Sequence, residues 1–447
     1  MHKSFQFSLR AGLVFALIQF CGVQAWAADP APTPIIDTLA ANGVTFRALY
    51  VNETAGNVSG GLKKGTSVSH YVFAGTDIDL GKLAGWSGAI LHANIVSINS
   101  SSLNQKYIGG GIDTQENYSP FPFTRFSDLS LEQTMSLGAA GKLQLQAGLM
   151  GLSAYFARST YACEFMNHAF CGAIWGLSQD TGTANTPLAT WAARAVYRPS
   201  QHAYAQVGMF MSDTSLTDPN THLFDFNKNN FTGRNWLLEA GHETTLADEE
   251  KPHYVRLGGW YLDAPRKDVY YNTAGKSLAI EGGKPAVQNS GSGAYLTAGK
   301  VISRASGSRN LAVFGSVLRS FSSGEPIASA IKFGIVKTGT FAGREHDAFM
   351  VGVADTRYSR QLVSFLSERR SLNGGTDPVH QHEYTLEVGY RAELAPGVML
   401  TPNIQYEINP TNRTFPNVAH NLNDPLVLGI KLTIDLGRSV GFSRPAK

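Results

Sequence analysis

Three successive segments near the C-terminus decide the fold: YTLEVGYRAEL (384–394), VMLTPNIQYEI (398–408) and LVLGIKLTIDL (426–436). In each segment apolar and polar residues alternate with a period of two, which is typical of a β-strand with two different faces. The apolar face of each segment carries no charged residue. Each segment has 11 residues, and a tilted strand needs about this length to cross the hydrocarbon layer of a membrane.

The connections between these segments alternate in length. Ala395-Pro396-Gly397 is a tight turn, whereas 409–424 and 367–382 are long and polar. Within a bilayer every backbone N–H and C=O must be paired inside the protein, so strands can span it only as a closed barrel. Short periplasmic turns and long external loops are typical of outer-membrane barrels. We therefore predict an all-β fold, a transmembrane antiparallel up-and-down β-barrel.

Weaker segments of the same kind occur earlier in the chain. Dividing about 420 residues by roughly 25 for one strand and its share of the connections gives about 16 strands, a number in the range of porins. The earlier segments are 141–149, 205–211, 254–263, 311–318, 331–336 and 349–354.

The first 27 residues have the pattern of an export signal. Lys3 and Arg10 lie near the start, an apolar run covers 11–25, and Ala25-Trp26-Ala27 is a small-x-small cleavage site. We predict a signal peptide at 1–27 and a single barrel domain at 28–447, because no linker composition divides the remainder. The predicted location is the outer membrane of a Gram-negative cell.

The composition suits many short strands and turns, with 46 glycines, 17 tyrosines and 24 phenylalanines. Aromatic side chains of this number are available for girdles at the membrane interfaces. The net charge is +3, and Lys and Arg are scattered along the sequence. The sequence therefore lacks the basic patch expected of a nucleic-acid-binding protein. A soluble exported β-sandwich would share this composition, but the uncharged faces of the last three segments count against it.

Two cysteines remain after the signal peptide, Cys163 and Cys171. The compartments outside the inner membrane permit disulfides. We predict a local bridge whose role is to stiffen a loop. A two-cysteine metal site is the alternative, but no histidine pair lies beside it at ligand spacing.

Four further sets of stretches follow one another along the chain: GGLKKG (60–65) with DIDLGKLAGWSG (77–88), residues 147–167, NLAVFG (310–315) with FGIV (333–336) and GTFAGREHD (339–347), and TPNIQYEINP (401–410) with VLG (427–429). In this order they resemble the carbohydrate-selective porins of the OprB type over nearly the whole mature chain. This resemblance implies a barrel of sixteen strands that passes monosaccharides, typically glucose-like sugars, down their gradient. Two features depart from the family: the last strand closes on Leu436 rather than on an aromatic, and we do not expect the family to bridge Cys163 and Cys171.

Polar groups on the inward faces are the candidate pore-lining and substrate-binding residues, because a diffusion pore selects by its narrowest diameter and its lining. Mixed charge on one wall suits a neutral polar solute. The alternative is that these charges only hydrate and brace the lumen. The predicted residues are Arg125, Glu132, Glu387, Arg391, Asn403, Gln405 and Glu407, and Lys431 and Asp435 share their face.

Two loops are candidates for an inward-folded constriction. One is 107–125, with Phe121, Phe123 and Arg125 before a strand that carries Glu132; the other contains Arg158 and Glu164. Each could equally be a surface loop.

The sequence favours a channel over an enzyme. It contains no G-x-S-x-G elbow, and no Ser and His lie close together on an outer strand face beside a third orienting group, so an outer-membrane hydrolase is disfavoured. The main alternative is a general channel or one for another small solute, such as an acid or a polyol. We expect no cofactor and no metal. The expected partners are small sugars, outer-membrane lipid and lipopolysaccharide, and the outer-membrane assembly machinery; the sequence leaves a homo-oligomer open.

Overall fold

The structure is a computed structural model that describes residues 34–182, 185–221, 223–226, 230–305 and 309–439. The predicted signal peptide at 1–27 lies outside the described residues. So does the remainder of the chain after 439.

Sixteen antiparallel strands of the described chain close into one barrel, as predicted. A separate hairpin, β10 with β11, stands outside it. The strands are β1 (Val44–Gly61), β2 (Gly65–Asp79), β3 (Ala89–Ser100), β4 (Phe123–Ser136), β5 (Lys142–Met150), β6 (Thr190–Arg198), β7 (Ala203–Asp213), β8 (Phe231–Glu243), β9 (His253–Asp263), β10 (Arg266–Asn272), β11 (Pro285–Gln288), β12 (Gly291–Arg304), β13 (Asn310–Ser320), β14 (Ile327–Thr338), β15 (Ala348–Tyr358), β16 (His382–Ala395), β17 (Val398–Ile408) and β18 (Asn423–Asp435).

The first and last strands complete the barrel. β1 pairs with β18 in antiparallel register from Leu49 opposite Asp435 to Gly61 opposite Asn423. Because each remaining barrel strand pairs with its neighbours on both sides, the barrel leaves no open edge whose backbone groups would face lipid.

The connections divide between the two ends of the barrel. The longest connections lie at the external end, which agrees with the prediction from the C-terminal segments, although the external loops 62–64 and 321–326 are shorter than several periplasmic connections. The external loops, numbered L1 to L8 in chain order, are 62–64, 101–122, 151–189, 214–230, 264–290, 321–326, 359–381 and 409–422.

Loop L7 contains a helix, although the sequence predicts only a polar loop in this region. Helix α4 occupies Arg360–Leu372, and the Ser359 hydroxyl caps it by accepting a hydrogen bond from Leu362 N. Within the described part of the chain, no helix combines the length and the apolar character needed to cross a membrane. The helices are α1 (Pro34–Ala41), α2 (Leu80–Ala84), α3 (Leu177–Thr181), α4 (Arg360–Leu372) and α5 (Leu436–Ser439).

The two faces of the C-terminal strands have the predicted orientation. Ile404, Leu428 and Ile430 are about half exposed on the outer surface, where lipid would cover them. Glu387 and Gln405 are fully buried on the inner face. The period-two pattern therefore placed each side chain on the correct side of the barrel wall.

We predict that an arginine at the middle of the lipid-facing surface destabilises the barrel more than one at its edge. Ile430 lies at the centre of β18 and Leu436 directly after the strand ends. Ile430→Arg should lower the free energy of unfolding by about 2–4 kcal/mol, and Leu436→Arg by no more than about 1 kcal/mol. Urea unfolding in lipid vesicles measures both values; equal losses would contradict the assigned depth.

Candidate permeation pathway

Loop L3 folds into the barrel and is held there by its own backbone. The carboxylate of Glu387 on β16 accepts hydrogen bonds from Met166 N and Asn167 N, both at 2.8 Å. The Asn167 side-chain amide donates to Gln405 Oε1 on β17 at 2.9 Å. A buried carboxylate that accepts two backbone N–H groups pins a loop tightly, because removing it would strand those donors without water.

Two lysines of the wall hold the other side of the same loop. Lys431 Nζ on β18 donates to Cys163 O at 3.1 Å and to Phe165 O at 3.2 Å, and it pairs with Glu116 at 2.6 Å. Lys332 Nζ on β14 donates to Phe170 O. Carbonyl oxygens of L3 thus accept hydrogen bonds from buried ammonium groups.

Loop L2 lies beside L3 and is fixed to the closing strands. Glu116 N donates to Met166 O at 2.8 Å, and His168 N donates to Asp113 O at 3.0 Å. On the wall side, Asn117 donates to the Glu53 carboxylate from its backbone and its amide, at 3.1 and 3.0 Å. Both loops proposed as constrictions therefore enter the lumen, and they pair with each other.

An apolar core between L3 and the wall fills much of the barrel interior. Its members are buried aromatic and aliphatic side chains from L3 that pack on inward residues of the strands. Burial of this kind supplies the main stabilising free energy of the inward fold. One cluster contains Phe165, Phe170 and Trp175 with Phe314, Met350 and Tyr358; the other contains Phe156, Ile174 and Leu177 with Phe210, Trp260 and Tyr295.

Cys163 and Cys171 are joined by a disulfide inside L3. Their sulfurs lie near the Glu116 carboxylate. Because the two sulfurs are bonded to each other, they offer no thiolate to a metal ion.

Most of the predicted pore-lining residues lie on the inner face but are covered by these loops. Glu387, Asn403, Gln405 and Glu407 are at most 4% exposed. The prediction that they line the open pore is therefore corrected: they face inward, and loop backbone rather than water covers them. The period-two pattern cannot show which part of the inner face a loop will occupy.

Arg125 differs from the prediction in the same way. Its guanidinium donates to the carbonyl oxygens of Leu216, Thr221 and Asp218 in L4, at 2.9, 3.1 and 2.5 Å respectively. It also lies over the rings of Phe121 and Phe123. It fastens L4 to the wall and does not face the passage.

Inward residues of β2 to β6 form the first part of a charged wall in the periplasmic half of the lumen. His92 bonds Asp77 at 2.7 Å and lies 3.6 Å from Glu132, which in turn lies 3.9 Å from Arg194. Arg194 also donates to Gln146 at 2.8 Å. Of the predicted residues, Glu132 belongs to this wall, and its side chain is 12% exposed.

The charged wall continues along β6, β8 and β9. Glu243 pairs with Arg198 at 3.2 Å and with Arg256 at 2.9 Å, and the Arg198 and Glu243 side chains are 35% and 31% exposed. Arg256 also donates to Arg158 O of L3 at 2.8 Å. Throughout, "the charged wall" denotes Asp77, His92, Glu132, Arg194, Arg198, Glu243 and Arg256.

The surface of L3 faces this wall with a tyrosine and further charges. Arg194 lies 4.3 Å from the centre of the Tyr155 ring. Arg158 of L3 is exposed.

Glu164 of L3 forms an ion pair with Arg391 of β16, whose side chain is 21% exposed. The structure thus brings together Glu164, predicted as part of a constriction loop, and Arg391, predicted as a pore-lining residue.

Sequence reasoning missed Arg194, Arg198, Arg256 and Glu243. The signal for Arg256 was available, because it lies within the recognised segment 254–263 and has the inward parity. β6 was not recognised as a strand, since Ala192, Ala193 and Ala195 blur its alternation.

Comparison with known proteins identifies the chain. A family model described as the carbohydrate-selective porin OprB family matches residues 63–436. The chain belongs to this family. Membership of the OprB family makes it an outer-membrane sugar porin, a channel rather than an enzyme, in contact with outer-membrane lipid.

Individual OprB-like proteins resemble the chain over most of its length. Porin B of Pseudomonas aeruginosa is 26% identical over 413 residues, which cover 87% of each chain. A putative porin, QuiX, of Acinetobacter baylyi is 23% identical over 414 residues, 88% of this chain and 89% of the relative. The high-pH structure of Pseudomonas putida OprB superimposes with a TM-score of 0.80 at 24% identity, covering 89% of this chain and 95% of that one. The last likeness shows a shared fold.

We predict that releasing L3 from its anchor widens this OprB-family pore. Glu387→Ala leaves Met166 N and Asn167 N without acceptors, at a cost of about 1–3 kcal/mol for each stranded donor. Single-channel conductance should rise, and a disaccharide should enter liposomes faster than it does through the wild type. Asp355→Asn, which changes an outer-face carboxylate bonded to His382, is the control. Unchanged conductance in Glu387→Ala would contradict the anchoring role.

We also predict that L3 contributes to the stability of the folded protein in a pH-dependent way. Burial raises the pKa of Asp180 in α3 to about 8, against the opposing effects of Ile327 N–H, Arg413 and Arg266. The unfolded pKa is about 3.9, so between these values the folded protein binds more protons, and its stability falls as the pH rises. Asp180→Asn should therefore raise the thermal midpoint at pH 8 and leave it unchanged at pH 4. An equal effect at both pH values would contradict this, and the exposed Asp263→Asn is the control.

Proposed function

We propose that the chain conducts glucose-sized monosaccharides by passive diffusion between L3 and the charged wall. The observation that carries this proposal is the pairing within the wall, where each acidic group lies next to a basic or imidazole group. A neutral polyhydroxylated solute can exchange hydrogen bonds with such alternating donors and acceptors. An ion meets no extended field of one sign.

Aromatic rings lie against two arginines of the charged wall. Tyr155 lies under Arg194, and Tyr254 lies under Arg256, each at 4.3 Å from ring centre to guanidinium carbon. A planar stack of this kind holds the guanidinium fork in place. The arginine edge is then ready to bond ring hydroxyls of a sugar without first losing side-chain freedom.

A small anionic solute is the second candidate, and Arg158 is the observation that favours it. Arg158 is exposed at the L3 surface facing a wall that already holds Arg194, Arg198 and Arg256. Four arginines then face three carboxylates, those of Asp77, Glu132 and Glu243. This surplus of one positive charge would attract an acid weakly.

We propose further that the chain reaches its membrane as a precursor. Cleavage after Ala27 would release the export signal, and the assembly machinery would insert the barrel. N-terminal sequencing of the protein purified from outer membranes tests the cleavage position.

The sugar proposal predicts a specific effect of Arg194. Glucose should reduce the single-channel current of the wild type in planar bilayers, and Arg194→Met should weaken that block by about tenfold. The loss corresponds to one hydrogen bond from a charged donor, worth about 1.5–3 kcal/mol. Arg319→Met, which alters an exposed arginine on the outward face of β13, should block like the wild type.

Two outcomes would count against this proposal. If glucose leaves the wild-type current unchanged, and if liposomes swell at rates set only by solute size, the pore is a general channel. If a small carboxylic acid blocks the current at lower concentration than glucose does, the anionic candidate replaces the sugar.

A further inference from the structure

Three oxygen atoms converge on one point beside Gly110 in loop L2. A methyl group added at the Cα of Gly110 would lie 2.9 Å from Glu407 Oε2, 3.3 Å from Glu383 Oε1 and 3.6 Å from Asn104 Oδ1. The three residues come from β17, β16 and L2. The point is therefore enclosed by two wall strands and an inward loop.

Glu407 has no hydrogen-bond partner that explains its position. The residue is fully buried, and neither carboxylate oxygen is bonded to any group in the described chain. A buried carboxylate without a partner costs several kcal/mol, because its hydration is lost and nothing replaces it. Its environment therefore lacks a positively charged or donating occupant.

Asn104 gives independent support, because it is neutral and equally buried. Its amide Nδ2 donates to Gly110 O at 3.0 Å, which fixes the orientation of the side chain. Its Oδ1, by contrast, is buried without a partner among the described groups. The amide thus points its acceptor oxygen toward the two glutamates. Their ionised carboxylates are also acceptors and cannot donate a hydrogen bond to it.

Glu383 is oriented so that one oxygen remains available. Its Oε2 accepts from Thr411 N at 2.7 Å, from the Thr411 hydroxyl and from Tyr358 Oη at 3.1 Å. Among the bonds of the described residues, its Oε1 accepts only from Gly111 N, at 3.1 Å, and Oε2 shares this donor at the same distance. Oε1 is the oxygen that faces Glu407 and Asn104.

The surrounding charge is negative. Asp113 in L2 is a third carboxyl, close enough to Glu383 for their charges to interact. Arg413 in L8 supplies one positive charge. With all three carboxyls ionised, two negative charges would stay uncompensated.

We infer that this chamber binds a calcium ion through Glu407, Glu383 Oε1 and Asn104 Oδ1. All the candidate ligands are oxygens, whereas softer metals prefer nitrogen and sulfur ligands, so the site disfavours those metals. Calcium takes six to eight oxygens at about 2.3–2.6 Å with flexible geometry, and both Glu407 oxygens could bind it. Water would complete the shell. Magnesium binds at about 2.0–2.1 Å and gives up its waters reluctantly, which disfavours it in a site that is enclosed by protein.

The ion would join four parts of the pore. Asn104 belongs to L2, Glu383 also binds Thr411 of L8, and the two glutamates belong to adjacent strands of the wall. Calcium would thus hold two external loops against β16 and β17, on the side of the lumen opposite the charged wall.

A proton shared by Glu383 and Glu407 is the competing occupant. It would neutralise one charge and form one hydrogen bond between the carboxyls. It would leave Asn104 Oδ1 unpartnered, and it would make the protein insensitive to calcium.

The test uses the full chain refolded into detergent in the presence of a chelator and then titrated with calcium or magnesium. The thermal midpoint of the wild type should rise with calcium, and calorimetry should give a stoichiometry of one. Glu407→Gln should weaken calcium binding by at least roughly tenfold, because affinity follows the charge of the ligands. Without calcium, this variant should melt at or above the wild-type temperature, because a buried unpaired charge has been removed. Magnesium should have a smaller effect.

Two further variants keep the test decisive. Asp355→Asn alters an outer-face carboxylate of β15 that is bonded to His382, and it should keep the calcium response. Gly110→Ala places a methyl group among the candidate ligand oxygens, 2.9 Å from Glu407 Oε2, and should abolish the response even if Glu407→Gln does not fold. A wild-type midpoint that calcium does not change would overturn the inference in favour of the shared proton, as would an unchanged calcium response in Gly110→Ala.

Discussion

Backbone hydrogen bonding is the constraint on which the structure depends. In the hydrocarbon layer no water replaces a missing partner, so each strand needs a neighbour on both sides. The pairing of β1 with β18 meets this need for the first and last strands. Closure then fixes an inside and an outside for every residue of every strand. The charged wall, the buried anchors and the lipid-facing surface all follow from that division.

The same constraint governs the interior. L2 and L3 bring irregular backbone into the lumen, and their N–H and C=O groups must be satisfied where water is scarce. The wall supplies the partners: Glu387 and Glu53 accept from loop amides, and Lys431 and Lys332 donate to loop carbonyls. The charged residues that hold the loops are therefore structural, and they include Arg125 of β4, which fastens L4. The residues of the charged wall pair with one another, and Arg198 and Glu243 stay partly exposed.

How far the sequence could predict this architecture depended on the range of the interactions. The faces of β16 to β18 follow from local alternation, so Glu387 and Ile430 were placed on the correct sides of the wall. The helix α4 was missed, because its charged sequence lacks a strong apolar stripe and resembles an external loop. Arg125, Gln405 and Glu407 were assigned to the open pore, because which loops cover them depends on contacts across more than ninety residues. Arg391 and Glu164 were recognised separately, but no local pattern could show that they pair.

The central claim is that sugar passes between L3 and the charged wall. A crystal structure of the protein soaked with glucose tests it most directly. The account predicts density for a sugar ring beside Arg194 and Glu132, with Arg158 of L3 on its other side. Density for glucose on the opposite side of the lumen, between L3 and strands β14 to β17, would contradict it.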